Sequence, residues 1–67
     1  MNTFATRLKE LRINHGMKQS ELAERFAVDQ RTVSNWECGI NEPNYEILIQ
    51  LAKFFEVSAD YLLGISD

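Results

Sequence analysis

The sequence predicts an all-α fold, a compact five-helix bundle that forms a single domain over residues 1–67. Three observations carry that prediction. Apolar residues recur at helical spacing in separate stretches, and no run alternates in the manner of a strand. Cap or breaker residues bracket each stretch. The connecting segments are only about two to six residues long, so successive helices must pack against one another.

The first helix follows from Phe4, Leu8 and Leu11 at i, i+4 and i+7. Asn2 or Thr3 can cap its start, and Gly16 stands just past its end. The second runs from about Lys18 to Phe26, with Leu22, Ala23 and Phe26 on one face. The third covers "DQRTVSNWEC", residues 29–38. Its N-cap is Asp29, whose carboxylate can accept free N–H groups of the first turn. Gly39 follows as a residue free to turn left-handed. In the loop "GINEPN", Pro43 bars helix at the residue before it. Asn44 then caps a fourth helix, and Glu46 suits the positive end of its dipole. Ile47, Leu48, Leu51, Ala52 and Phe55 form its buried face. Ser58 caps a short fifth helix, "ADYLL", which stops at Gly64. No internal repeat is evident.

A chain this short buries only ~60% of the surface its unfolded form exposes, so the core is thin. One cysteine, Cys38, excludes an internal disulfide framework and fits a reducing compartment. The start, "MNTFATRLKELR", has no apolar block of the signal-peptide kind. No apolar run approaches the ~20 residues of a membrane span, so the expectation is a cytoplasmic protein without a membrane partner. The net charge of −3 is polarised: residues 1–36 carry +2 and residues 37–67 carry −5. An acidic domain polarised in this way can still present one basic face.

The third helix raises the functional question. At about 100° per residue, Gln30, Ser34, Cys38, Arg31 and Asn35 fall across an arc of roughly 140°. Val33 and Trp36 fall opposite, with Thr32 and Glu37 at the flanks. Two apolar residues thus pin a helix that shows two amides and a guanidinium where Lys and Glu pairs are usual. Gln and Asn match the N6/N7 edge of adenine, and Arg matches the O6/N7 edge of guanine. A helix fits the DNA major groove, with its N-terminal residues nearest the bases. The alternative is a polar face that meets only water.

The preceding segment bears on that choice. "KQSELAERFAVDQRTVSNWE" has the layout of a helix-turn-helix formed by helices 2 and 3. Leu22 and Phe26 face Val33 and Trp36 across a short turn, and small Ala23 lets the helices cross closely. "RLKELRINHGMKQSELAERFAV", "TVSNWECG" and "EPNYEILIQLAKFFEVSADYLLG" occur in that order over nearly the whole chain. Together they resemble the phage-repressor and Cro-like helix-turn-helix regulators, the XRE family.

The resemblance implies a lambda-repressor-like DNA-binding bundle that regulates transcription as a repressor. It places Gln30, Arg31 and Asn35 at base-reading positions, and Ser34 against a phosphate or the groove wall. Lys18, Gln19, Arg12 and Asn44 are expected at the DNA backbone or bracing the reading helix. Gln19 would brace the start of helix three, or stand as an ordinary polar residue. Arg12 and Glu37 resemble a pair that forms a partly buried salt bridge between helices one and three, or are independent surface charges. The implied partner is double-stranded DNA, bound by a homodimer on a near-palindromic operator with half-sites about 34 Å apart. Dimer contacts are expected near helix five, from Tyr61, Leu62 and Ile65.

Several positions depart from the family pattern. Lys18 stands where a capping Thr is common, and Ala27 where Gly is common. The loop "GINEPN" has no basic residue, so phosphate contacts there fall to backbone N–H groups at the start of helix four. Modest non-specific affinity and a shallow salt slope follow. Cys38, on the exposed arc, is an ordinary small residue or a redox-sensitive one.

An enzyme is not expected. His15 and Cys38 are single and sit on different helices, so no metal site is indicated. No Gly-rich phosphate loop or hydrolase elbow is present. His15 suits the C-terminal dipole of helix one. Tyr45, Phe54 and Tyr61 lie in the acidic half and read as core edge or interface. No cofactor or small-molecule effector is indicated. The competing function is an antitoxin-like or adaptor module that uses the same fold to bind protein.

Overall fold

The computed structural model describes residues 3–65. Five helices follow one another: α1 Thr3–Asn14, α2 Gln19–Arg25, α3 Gln30–Cys38, α4 Tyr45–Phe54 and α5 Ala59–Leu63. The described residues contain no strand. Each helix begins and ends largely as its sequence dictates. Asn44 Oδ1 accepts the Ile47 N–H at 2.9 Å, and Ser58 Oγ accepts the Tyr61 N–H at 3.0 Å. Thr3 is the first residue of α1, while Asn2, the other cap candidate, lies outside the described residues.

Two starts differ from expectation. Asp29 occupies the N-cap position of α3 with extended backbone, but its side chain makes no capping hydrogen bond. The Thr32 and Val33 N–H groups of that turn instead bond the Asp29 backbone carbonyl, at 2.9 and 3.3 Å. At α2 the cap side chain is also missing, because an ammonium cannot accept a hydrogen bond. Glu21 compensates by reaching back, its Oε1 accepting the Lys18 N–H at 2.7 Å.

The core is one cluster drawn from all five helices. Leu8, Leu22, Val33, Leu51 and Leu62 are fully buried, with Phe4, Ala23, Trp36, Leu48, Ala52 and Phe55 around them. α3 packs on α2 and α1, and α5 closes the bundle against α1 and α4. Leu62 is at 0% exposure, so it is a core residue and offers no dimer surface. A five-residue helix is too short for periodicity to show which face turns inward. Arg7 lies 4.3 Å above the Tyr61 ring and donates to the Tyr61 carbonyl, tying α1 to α5. Tyr61 is half-buried and Ile65 is exposed, so both stay available as dimer candidates.

The two inter-helix turns that flank the core share one design. After α2 come Phe26, left-handed Ala27 and Val28; after α4 come Phe55, left-handed Glu56 and Val57. The Val28 N–H returns to the Ala23 carbonyl at 3.0 Å, and the Val57 N–H to the Ala52 carbonyl at 2.9 Å. Each valine thus satisfies an orphan carbonyl of the helix it leaves. Contrary to expectation, the match extends to the sequence as a short repeat, since LAERFAV (22–28) and LAKFFEV (51–57) share Leu, Ala, Phe and Val in register.

Ala27 holds φ 56°, and it is exposed. A left-handed L-residue costs about 1–2 kcal/mol, against a loss of roughly 0.4–1 kcal/mol from the freer unfolded glycine chain. Ala27→Gly is therefore expected to stabilise the fold by about 0.5–1 kcal/mol, read as a rise in thermal midpoint of several degrees. An unchanged or lower midpoint would show that the turn carries no such strain.

Candidate nucleic-acid interface

The exposed side of α3 is the candidate site. Val33 and Trp36 are buried, and they fix the rotation of the helix about its axis. With those two inward, Gln30, Arg31 and Cys38 are exposed, and Ser34 and Asn35 are half-buried between them. The helix exits through Gly39, left-handed at φ 77°. Arg31 enters no ion pair among the described residues, so its guanidinium fork is unspent.

A buried polar cluster fixes the tilt of α3. Arg12 in α1 and Glu37 in the last turn of α3 are each only 9% exposed. Arg12 Nε donates to Glu37 Oε2 at 2.6 Å, and Nη2 donates to Oε1 at 3.1 Å. The pair is bidentate, the geometry that best matches a guanidinium to a carboxylate. Arg12 Nη1 donates to the Met17 carbonyl at 2.7 Å, and Gln19 Nε2 donates to Glu37 Oε1 at 3.1 Å. The Glu37 carboxylate thus joins α1, α2 and α3, and Arg12 adds the α1–α2 loop. No buried side-chain polar atom among the described residues lacks a partner.

This cluster sharpens two expectations. Gln19 reaches the last turn of α3 rather than its start, because Glu37 is the acceptor. Arg12 is committed on all three nitrogens to the brace, so a phosphate role does not fit its surroundings. The Met17 carbonyl was not foreseen, since a backbone acceptor leaves no mark on the sequence. Gln19 at the start of α2 lies beside the end of α3, and exposed Lys18 directly precedes it. Asn44 is exposed at the start of α4, where its side chain caps that helix.

The remaining singled-out residues take structural places. His15 Nδ1 donates to the Leu11 carbonyl at 2.9 Å, and its ring meets Phe55 edge-on at 4.9 Å. Cys38 is a free, exposed thiol. Tyr45 is 85% exposed, so it belongs to the surface and not to the core edge. Among the described residues no cluster of His, Cys, Asp or Glu is arranged to hold a metal ion. No described helix is long and apolar enough to cross a membrane.

Known proteins share this architecture. The helix-turn-helix family model matches residues 8–62. The chain is 40% identical over 61 residues to the HTH-type transcriptional activator BcrR of Enterococcus faecalis, covering 91% of the chain and 30% of that protein. It is also 40% identical over 62 residues to the HTH-type transcriptional regulator ImmR of Bacillus subtilis strain 168, covering 92% of the chain and 49% of that protein. The chain therefore spans about a third to a half of these relatives' length. Its fold overlays the crystal structure of the P22 c2 repressor in complex with a synthetic operator at a TM-score of 0.85 and 32% identity, covering 94% of the chain and 96% of that one. With five helices in that arrangement and the family pattern running from α1 into α5, the chain belongs to the helix-turn-helix family, of the phage-repressor and Cro-like XRE type.

Proposed function

We propose that residues 1–67 act as one DNA-binding domain that reads a specific duplex sequence through the major groove and represses transcription from the site it occupies. The observation that carries this reading is the exposed arc of α3, bidentate side chains on a helix whose rotation and tilt are both fixed. Arg31 pairs with a guanine edge, and Gln30 and Asn35 pair with adenine edges. Lys18, Gln19 and Ser34 hold the phosphate backbone, and Asn44 does so from the start of α4. Arg12 and Glu37 stay behind this surface as the brace. The function has no catalytic step, cofactor or metal, and is exercised in the cytoplasm.

One domain supplies one half-site of contacts, so the operator is near-palindromic and bound by a two-fold dimer, with half-sites about 34 Å apart. Tyr61 and Ile65 remain dimer candidates, since both retain exposed surface. The operator-bound P22 c2 repressor supports the repressor mode, and the activator among the relatives supplies the contrast to test. A reporter whose promoter overlaps the selected site should fall in output when the protein is made; a rise would reverse the direction.

Selection from random duplexes, followed by titration at several salt concentrations, tests the reading as a whole. A recovered motif with two-fold symmetry is the expected outcome. Failure to bind any duplex at low salt would overturn DNA recognition in favour of the adaptor function. Lys18→Ala is expected to weaken all duplexes alike and to lower the salt slope by about one. A loss confined to one sequence would make Lys18 a base reader.

A further inference from the structure

A second surface lies away from the arc of α3. The C-terminal ends of α2 and α4 form an open cleft of about 310 Å³ lined by Arg25, Phe26, Gln50, Lys53 and Phe54. Its floor is a T-shaped aromatic pair, Phe26 and Phe54, with ring centroids 5.7 Å apart. The Arg25 guanidinium stands 5.1 Å from the Phe54 centroid and 5.8 Å from that of Phe26. Both rings therefore attract its planar head toward the cleft floor.

The charge of this cleft runs against that of the molecule. Lys53 is the sole cation among residues 37–67, which otherwise carry six acids. The fold sets that lysine beside Arg25, and neither has an ion-pair partner among the described residues. Two like charges over an apolar floor repel each other, and an anion between them relieves that repulsion. The cleft lies at the other end of α2 from Lys18 and Gln19, about 9 Å along the helix axis. Its charges are thus separate from those assigned to the duplex.

We propose that this cleft docks an acidic segment of a partner protein, in which carboxylates flank an apolar side chain. Arg25 takes one carboxylate in a bidentate pair, Lys53 takes a second, and the apolar side chain lies on Phe26 and Phe54. Gln50 can hydrogen-bond the segment's backbone through its amide. The charge complementarity selects this occupant: a basic segment is repelled, and an uncharged apolar one leaves both cations unpaired.

The test uses the full chain and an eight-residue peptide of six glutamates with one phenylalanine and one leucine. Amide spectra of the labelled protein should shift at Phe26, Gln50, Lys53 and Phe54 on titration, with affinity that falls as salt rises. The amides of Gln30, Arg31 and Asn35 should stay in place. Lys53→Glu, at an exposed position, should weaken the peptide about tenfold or more while leaving thermal stability and duplex affinity unchanged. Arg25→Lys keeps the charge but loses the fork, and should weaken the peptide by a smaller factor. The same peptide with lysines for glutamates should not bind. Absence of shifts at low salt, or shifts centred on α3, would overturn the proposal. So would a Lys53→Glu loss of duplex affinity, which would make the cleft a phosphate contact. None of these outcomes depends on whether α3 reads bases.

Discussion

Glu37→Ala is expected to remove about 3–5 kcal/mol of folding free energy, the loss typical when one partner of a buried ion pair is deleted. The reason is what remains. Arg12 would keep its charge at 9% exposure with only the Met17 carbonyl as partner, and Gln19 would lose its acceptor. A domain of this length has a total stability of roughly 3–10 kcal/mol, so this single change takes it to the edge of unfolding. Urea denaturation followed by the fluorescence of buried Trp36 measures the effect. The double variant Arg12→Met with Glu37→Leu should recover most of the loss, since apolar replacement of a whole buried pair is often neutral. If that variant folds yet binds duplex poorly, the brace serves to aim α3 more than to stabilise it. A single-variant loss under about 1 kcal/mol would mean that water reaches the pair, and would remove the basis for the brace.

Arg31→Ala is expected to leave stability within about 0.5 kcal/mol of the parent, because the side chain is exposed and unpaired among the described residues. Its effect falls on recognition. Loss of a bidentate guanine contact costs ~1–3 kcal/mol, or roughly 5- to 150-fold in affinity, and relaxes choice at one base pair per half-site. Fluorescence anisotropy on the selected operator and on a panel of single base-pair variants separates the two parts. The parent should discriminate at that position and the variant should not. If Arg31→Ala instead weakens every duplex equally, in the manner expected of Lys18→Ala, Arg31 is a phosphate anchor.

Much of this architecture was legible from residue order alone. Phe4, Leu8 and Leu11 mark α1, and Asn44 and Ser58 cap α4 and α5 as their chemistry requires. These signals are local, and local signals survive in a linear string. Contacts between distant segments do not. The Arg7–Tyr61 clamp joins residues 54 apart, and Gln19 finds Glu37 across 18. The basic-aromatic cleft exists only because α2 and α4 end side by side. Leu62 was misplaced for a related reason, since one turn of helix gives no period from which to infer its inward face. Asp29 erred in another way. Its residue type suits a cap and its backbone takes the cap position, yet its side chain makes no bond to the first turn. The arc of α3 needed both kinds of information: periodicity grouped its residues, and the packing of Val33 and Trp36 turned them outward.

One contact made in closing the bundle bears on how the chain could be rebuilt. Gly64 is left-handed at φ 81°, and a Cβ there would lie 2.7 Å from Thr3 Cγ2. The start of α1 and the end of α5 are thus in van der Waals contact, and the path from Thr3 to Gly64 is nearly a ring. Such a fold suits circular permutation: a short linker can join Thr3 to Gly64, and a new opening can be cut in the exposed stretch 40–42 between α3 and α4. That cut leaves the Arg12–Glu37 brace on one continuous piece of backbone. It would also place both new termini beside the reading helix, so a fused reporter group would sit where a bound duplex could be sensed.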